Sequence, residues 1–389
     1  MAYGLICLTL VLLSGIFLTF LKNTADGGRT AACREMILIG LVSLVFAGQP
    51  FWLTGTHLSF VFQNSRYTLP FMLGISLIWT GTLGLIRRPR LLAAGAAAIL
   101  IGLAAGSHFV NANEYRRDWT LTKDFFWQLK WRVPAIEENT VIITNVLPIR
   151  FSTDNSLTAA VNWIYADTER NPAVYRDHSM PYMLYTNTKR EDTLGGFQPG
   201  QPVFQEYLSA QFTGNTDDAI SLVYNAPGCV RVLDPEVDLF NQTIPIIDRE
   251  AALLNNAARI LTDVPYSPLD TELFGAEPAH GWCWYYEQAD LSRQKKDWES
   301  VARLGDDAFA LSDHPNDPME RLPFIEGYAH VSAWDQATEQ TRTALSVTPV
   351  MNNPLCALWA RIDRETVGSE EKTTAITAIR QLLDCGFLE

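Results

Sequence analysis

The chain has 389 residues, enough for two or three domains, with 30 basic and 43 acidic side chains and a net charge of −13. Residues 1–109 hold seven of the bases and two of the acids (net +5), which leaves residues 110–389 at −18. So acidic a C-terminal part repels a phosphate backbone and argues against nucleic acid as a partner.

In chain order, Ala2–Leu21 is a charge-free apolar run without the basic leader or small-residue cleavage site of a signal peptide, and it reads as a membrane helix. Met36–Gly55 reads as a second span. Leu69–Ile86 and Leu91–Phe109 read as a third and fourth, parted by Arg87-Arg88-Pro89-Arg90. Arginines in so short a loop stay on the cytoplasmic side, as do Lys22, Arg29 and Arg34 in the first loop. The N-terminus, the loop Thr56–Thr68 and everything after Phe109 then lie outside, in contact with lipid only through the spans.

Beyond the fourth span, Asn113–Trp131 carries Tyr115, Trp119, Phe125, Phe126, Trp127 and Trp131 among four bases, and Pro134 ends the helix that their spacing suggests. These rings suit a helix lying on the outer leaflet, or equally one packed on the soluble part. Short β-branched runs follow at Thr140–Asn145, Met183–Thr186, Ala219–Asn225 and Cys229–Leu233. A helix is expected at Leu157–Ala166 behind cap residues in Ser152–Ser156, and a turn at Pro227-Gly228. The pattern is that of a small α/β domain. It contains no glycine-rich dinucleotide fingerprint and no phosphate loop, and no cofactor is expected.

In the last third, Ala310-Leu311-Ser312-Asp313-His314-Pro315 recurs as Ala344-Leu345-Ser346-Val347-Thr348-Pro349, an offset of 34 residues. Tyr328, Ala337, Ala344 and Pro349 stand at tetratricopeptide spacings, so Trp282–Cys385 resembles two tetratricopeptide repeats and a degenerate third continued by Ala378. In the first unit Arg303 stands where the second has Ala337. The resemblance implies paired helices presenting a surface to a protein partner. The expected organisation is a four-helix transmembrane region (1–109), an extracytoplasmic α/β domain with a juxtamembrane aromatic helix (110–245), and a helical tetratricopeptide-like domain (246–389).

Outside the cytoplasm Cys229, Cys283, Cys356 and Cys385 could form two disulfides in any of three pairings, or remain as buried thiols. No C-x-x-C spacing supports a metal. His280, Cys283 and Glu287 share one helical face, but Trp282, Tyr285, Tyr286 and Ala289 explain the same stretch as a packed helix. His57, His108, His178 and His330 show no ligand spacing, His314 sits in an exposed turn, and Asp217-Asp218 and Asp306-Asp307 read as surface. No catalytic constellation emerges.

Arg66, at the outer mouth of the third span, either snorkels to headgroups or meets a phosphate. The phrase Arg66-Tyr67-Thr68-Leu69-Pro70 resembles the R-Y-x-L-P step of GT-C glycosyltransferases, polytopic enzymes that use polyprenyl-phosphate sugars. The resemblance, over about residues 36–109, implies outer-face sugar transfer with Arg66 and Tyr67 near a lipid phosphate. That family works with acids in its first outer loop. Here the only acids of residues 1–109, Asp26 and Glu35, are expected inside. The chain is therefore expected to be an envelope scaffold or protein-interaction module without its own catalytic site. The alternative is the C-terminal portion or a split subunit of a GT-C enzyme.

Overall fold

The computed structural model describes residues 28–60, 64–86, 90–166, 179–186, 198–207 and 210–386. They belong to two compact units, Met1–Arg117 and Asp118–Glu389.

The first unit contains α1 (Arg29–Thr54), a 3-10 turn (Asn64–Thr68), α2 (Phe71–Leu85) and the opening turns of α3 (Arg90–Arg132). Among the described residues, α1 and α3 are long and apolar enough to cross a membrane. Of the three expected spans that fall on described residues, two thus remain candidates, Met36–Gly55 in α1 and Leu91–Phe109 in α3. Ala2–Leu21 lies outside the described residues. Leu69–Ile86 becomes a helix of 15 residues, because Ser65–Thr68 winds into the 3-10 turn and Pro70 caps α2. At 1.5 Å per residue α2 reaches roughly 22 Å, short of a hydrocarbon core of about 30 Å.

Helices α1 and α2 pack where both lack side chains. A Cβ on Gly40 would stand 2.7 Å from the Gly74 carbonyl oxygen, and one on Gly74 would stand 2.8 Å from that of Gly40. Small residues let helix backbones approach where lipid offers no hydrophobic drive for association. Around this contact Leu38, Phe46, Leu53 and Leu73 are exposed, as lipid-facing side chains would be.

Helix α3 runs unbroken for 43 residues, without the expected stop after Phe109. No glycine or proline intervenes between Ser107 and Val133, and Asn113 turns its side-chain amide back to the Phe109 carbonyl at 2.9 Å. Its last turns belong to the second unit. Phe125, Phe126, Trp127, Leu129 and Trp131 are all buried there. The indole N–H of Trp127 donates to the Phe274 carbonyl, and that of Trp131 to Glu277. These rings are therefore core, and the outer-leaflet alternative is set aside for them; Tyr115 and Trp119 stay half exposed.

The second unit is built on a four-stranded sheet. Strands β1 (Ala135–Ile136), β2 (Thr140–Thr144) and β3 (Tyr182–Thr186) precede the hairpin β4 (Pro202–Tyr207)–β5 (Ala210–Asn215). Strands β6 (Ala219–Val223), β7 (Arg231–Val232) and β8 (Ile260–Leu261) follow. The sheet order is β3-β2-β6-β7: β2 is parallel to both β3 and β6, and β7 is antiparallel to β6. Every residue of β2, β3 and β6 is buried, which is why the strands read as continuous apolar runs. On one face Ile142, Leu184, Ile220 and Leu222 meet the end of α3 and Leu157 and Val161 of α4 (Asp154–Tyr165). Helix α4 opens with a reciprocal cap between Thr153 and Ser156.

The other face packs on Val203 and Phe212 of the hairpin and on Ala251, Ala252 and Leu254. Asn255 fixes the latter segment, accepting the Ser221 N–H and donating to the Leu233 carbonyl. Short helices α5 (Pro235–Asp238), α6 (Ile246–Ala251) and α7 (Thr271–Phe274) complete this part. Residues 246–275, expected in the helical domain, thus pack with the sheet, and β8 pairs with β1.

The remainder is helical: α8 (Trp282–Gln294), α9 (Trp298–Phe309), α10 (Leu322–His330), α11 (Trp334–Val347), α12 (Asn352–Glu365) and α13 (Glu370–Leu382). The turns after α8 and α10 are copies of each other. Lys296 and Ser332 adopt left-handed backbone (φ 59° and 62°). Asp297 N–H bonds to the Ser292 carbonyl as Ala333 N–H bonds to that of Tyr328. The copies lie thirty-six residues apart, and buried side chains keep that interval: Val301 with Ala337, Gly305 with Thr341, Ala308 with Ala344. The thirty-four-residue alignment is two out of register, so Ala337's counterpart is Val301 rather than exposed Arg303, and Ala310 is exposed while Ala344 is buried. In the last helix Ile379 is buried and Ala378 is half exposed.

Candidate functional site

The most elaborate chemistry of the second unit is a buried chain of ion pairs joining the α/β and helical parts. Arg132, at the end of α3, places Nε 2.5 Å from Oδ2 of Asp290 on α8. Arg293, one turn further along α8, bonds Asp290 Oδ1 at 2.7 Å and Asp234, the cap of α5, at 3.1 Å. Arg361 on α12 reaches the same Asp234 oxygen at 2.6 Å and grips Glu326 of α10 through two N–H groups at 2.7 and 2.9 Å. Alongside, Arg231 of β7 pairs with Asp238 at 2.6 Å.

Burial raises the Asp290 carboxyl, but the Arg132 and Arg293 guanidiniums override it and hold it well below the usual range. Asp234 shows the same balance, with burial opposed by Arg293 and Arg361. The cavity these side chains enclose measures about 30 Å³, room for roughly one water molecule. An organic substrate does not fit it. Chemically the arrangement is a clamp: five elements distant in sequence are locked by matched charges whose separation would strand ions away from water.

No family model, curated protein or solved structure matches the chain.

Two acids beside the clamp behave differently. Glu320 accepts the Cys229 N–H and the Trp282 indole N–H, each at 2.8 Å, and burial pushes its carboxyl up to about 7. Glu287 on α8 is 0 % exposed and neither of its oxygens finds a hydrogen-bond partner among the described residues; the nearby Val230 N–H, which donates to Gln128, favours its charged form only slightly. Burial lifts its carboxyl well above the usual range, more than the attraction of Arg132 can offset.

Two concavities are larger. One of about 450 Å³ is lined by Lys130, Trp163, Leu269, Asp270 and Phe274. Its Lys130 ammonium donates to the Pro134 carbonyl at 2.8 Å and lies 4.9 Å over the Tyr165 ring; burial brings it down to about 8. The other, about 820 Å³, is an open groove between α11 and α13 with Asp335, Glu339, Glu370 and Glu371 facing Arg342.

The residues singled out from sequence fall as follows. Arg66 and Tyr67 stand together in the 3-10 turn. The guanidinium lies 5.1 Å over the phenol ring and donates to its hydroxyl at 3.3 Å, while Phe51 packs edge-on against Tyr67. Among the described residues no carboxylate pairs with Arg66. Cys229 joins Cys283, and Cys356 joins Cys385. The disulfide removes Cys283 as a metal ligand. His280 stacks on Trp284 at 4.0 Å, and Trp282, Tyr286 and Ala289 are buried, so that stretch is a packed helix.

Sequence reasoning missed Glu326, His330 and Glu365, which bring one donor atom each to within 4.8 Å of the others. Glu326 and His330 are four apart on α10, a spacing that puts both on one helical face and was there to be read. Glu365 joins them only through the packing of α12.

Proposed function

We propose that the chain is an integral membrane protein whose acidic second unit is an extracytoplasmic scaffold, holding a protein partner of the cell envelope on its tetratricopeptide-like helices. The observation that carries this reading is the open acidic groove between α11 and α13 on a platform braced by buried ion pairs and two disulfides. Four carboxylates against one guanidinium favour a partner segment rich in lysine or arginine. Disulfides persist in oxidising compartments, which agrees with the outward orientation inferred from the basic loops. A photo-crosslinker introduced at Glu371 in growing cells is expected to capture one recurrent partner, and Glu339→Lys with Glu370→Lys to lose it. Adducts no stronger than those from a site on the sheet edge, such as Glu137, would remove the reading.

A second reading is a subunit of a GT-C-type glycosyltransferase, and the exposed Arg66–Tyr67 pair favours it. A guanidinium fork without a carboxylate partner among the described residues suits a polyprenyl phosphate. Arg66→Ala is then expected to weaken binding of polyprenyl phosphate in detergent about tenfold; unchanged binding dismisses the idea.

A further inference from the structure

We propose that Glu326, His330 and Glu365 form a binding site for one divalent cation of the zinc class.

One ring nitrogen of His330 lies within 4.8 Å of a carboxylate oxygen from each of Glu326 and Glu365, and the ring's Nε2 is buried with no hydrogen-bond partner among the described residues. A buried ring nitrogen left unserved costs free energy, and a cation supplies the missing bond. The ring is already placed: it stacks face to face on Trp298, centroids 3.8 Å apart and planes within 4°.

Glu326 is held by Arg361 at 2.7 and 2.9 Å and approached by Arg293 at 3.6 Å. A carboxylate has about four lone-pair positions, so one remains for a metal. The positive charge of Arg361 opposes a cation there, but Arg361 is also bound by Asp234 at 2.6 Å, so Glu326 does not neutralise it alone. Glu365 ends α12 with its side chain one-third exposed and can swing inward. Around a tetrahedral zinc, donors sit roughly 3.3 Å apart, so atoms now within 4.8 Å need only a modest closure. One imidazole and two carboxylates select zinc, cobalt or nickel over calcium and magnesium, which take oxygen alone. Three protein ligands leave a fourth position for water or for a group on a partner.

The test uses tag-free, metal-stripped full-length protein in detergent. Cobalt(II) is titrated in, its visible absorption is followed, and zinc is then added. One cobalt per chain, displaced by one zinc, is expected. His330→Gln abolishes the absorption and Glu365→Gln weakens cobalt binding by about tenfold or more. Glu365 lies at a helix end, so its variant folds even if the buried His330 variant does not, and circular dichroism separates the two cases. No cobalt signal at about 100 µM protein, or a signal unchanged in Glu365→Gln, overturns the proposal and leaves a water molecule as the partner of His330.

Discussion

At the scale of single residues, Glu287 is the group most at odds with its surroundings. Its carboxyl has no exposure and no hydrogen-bond partner among the described residues, and burial raises it well above the ordinary value that it keeps in the unfolded chain. Its folded value is raised, so its contribution to stability is fully present below the unfolded value. That contribution is lost as pH climbs toward the folded value. Glu320, raised to about 7, acts in the same direction between about 4.5 and 7. Glu287→Met keeps the volume and removes the buried acid. It is expected to stabilise the protein by about 1–3 kcal/mol at pH 7, with the gain shrinking toward pH 4 in thermal melts. A loss of stability at pH 7 would mean that the carboxyl has a partner. Nothing in the local sequence marks Glu287 as buried. Helical spacing does place Trp282, Tyr286 and Ala289 on the packed face, whereas the burial of an acid depends on Arg132, which arrives from 155 positions away in the chain.

At the scale of elements, strands were easy to read and helix lengths were not. The sheet strands declare themselves because both faces are covered, and Thr153 and Ser156 mark the start of α4 as cap chemistry requires. The hairpin β4–β5 was not foreseen: Val203 and Phe212 are its buried anchors, while Phe204 and Tyr207 lie exposed, so its pattern is too mixed to signal a strand. Polarity changes at Phe109, where the expected span ends, but polarity does not end a helix, and α3 continues to Arg132, just ahead of Pro134. In the helical array the repeated alanine and proline phrases gave a period two residues short, since the copied feature is the left-handed turn at Lys296 and Ser332.

The α1–α2 contact gives a direct test at this scale. Gly74→Val puts side-chain atoms against the Gly40 carbonyl, which as backbone cannot yield. The expected cost is about 1–3 kcal/mol, seen as a lower thermal midpoint in detergent. An unchanged midpoint would show that the two helices do not pack through these glycines.

At the scale of the whole molecule, the division of charge was visible at once, with residues 1–109 basic and the remainder acidic. The sequence allowed three pairings for the four cysteines of the second unit; packing selects Cys229 with Cys283 and Cys356 with Cys385. The first disulfide ties the β6–β7 connection to α8 and closes a loop of 54 positions, beside the ion pairs that join the same two parts. Chain-entropy reasoning assigns such a loop about 4 kcal/mol of stability. The second fastens α12 to the segment after α13. Disulfides persist in oxidising compartments, so the side of the membrane proposed for this unit is the claim on which the scaffold reading rests. The decisive measurement is thiol trapping in intact cells, followed by non-reducing peptide mass spectrometry of the purified protein. The account predicts disulfide-linked peptides for Cys229–Cys283 and Cys356–Cys385, with Cys33 recovered alkylated. Alkylated thiols at these four positions would place the second unit in a reducing compartment and contradict it.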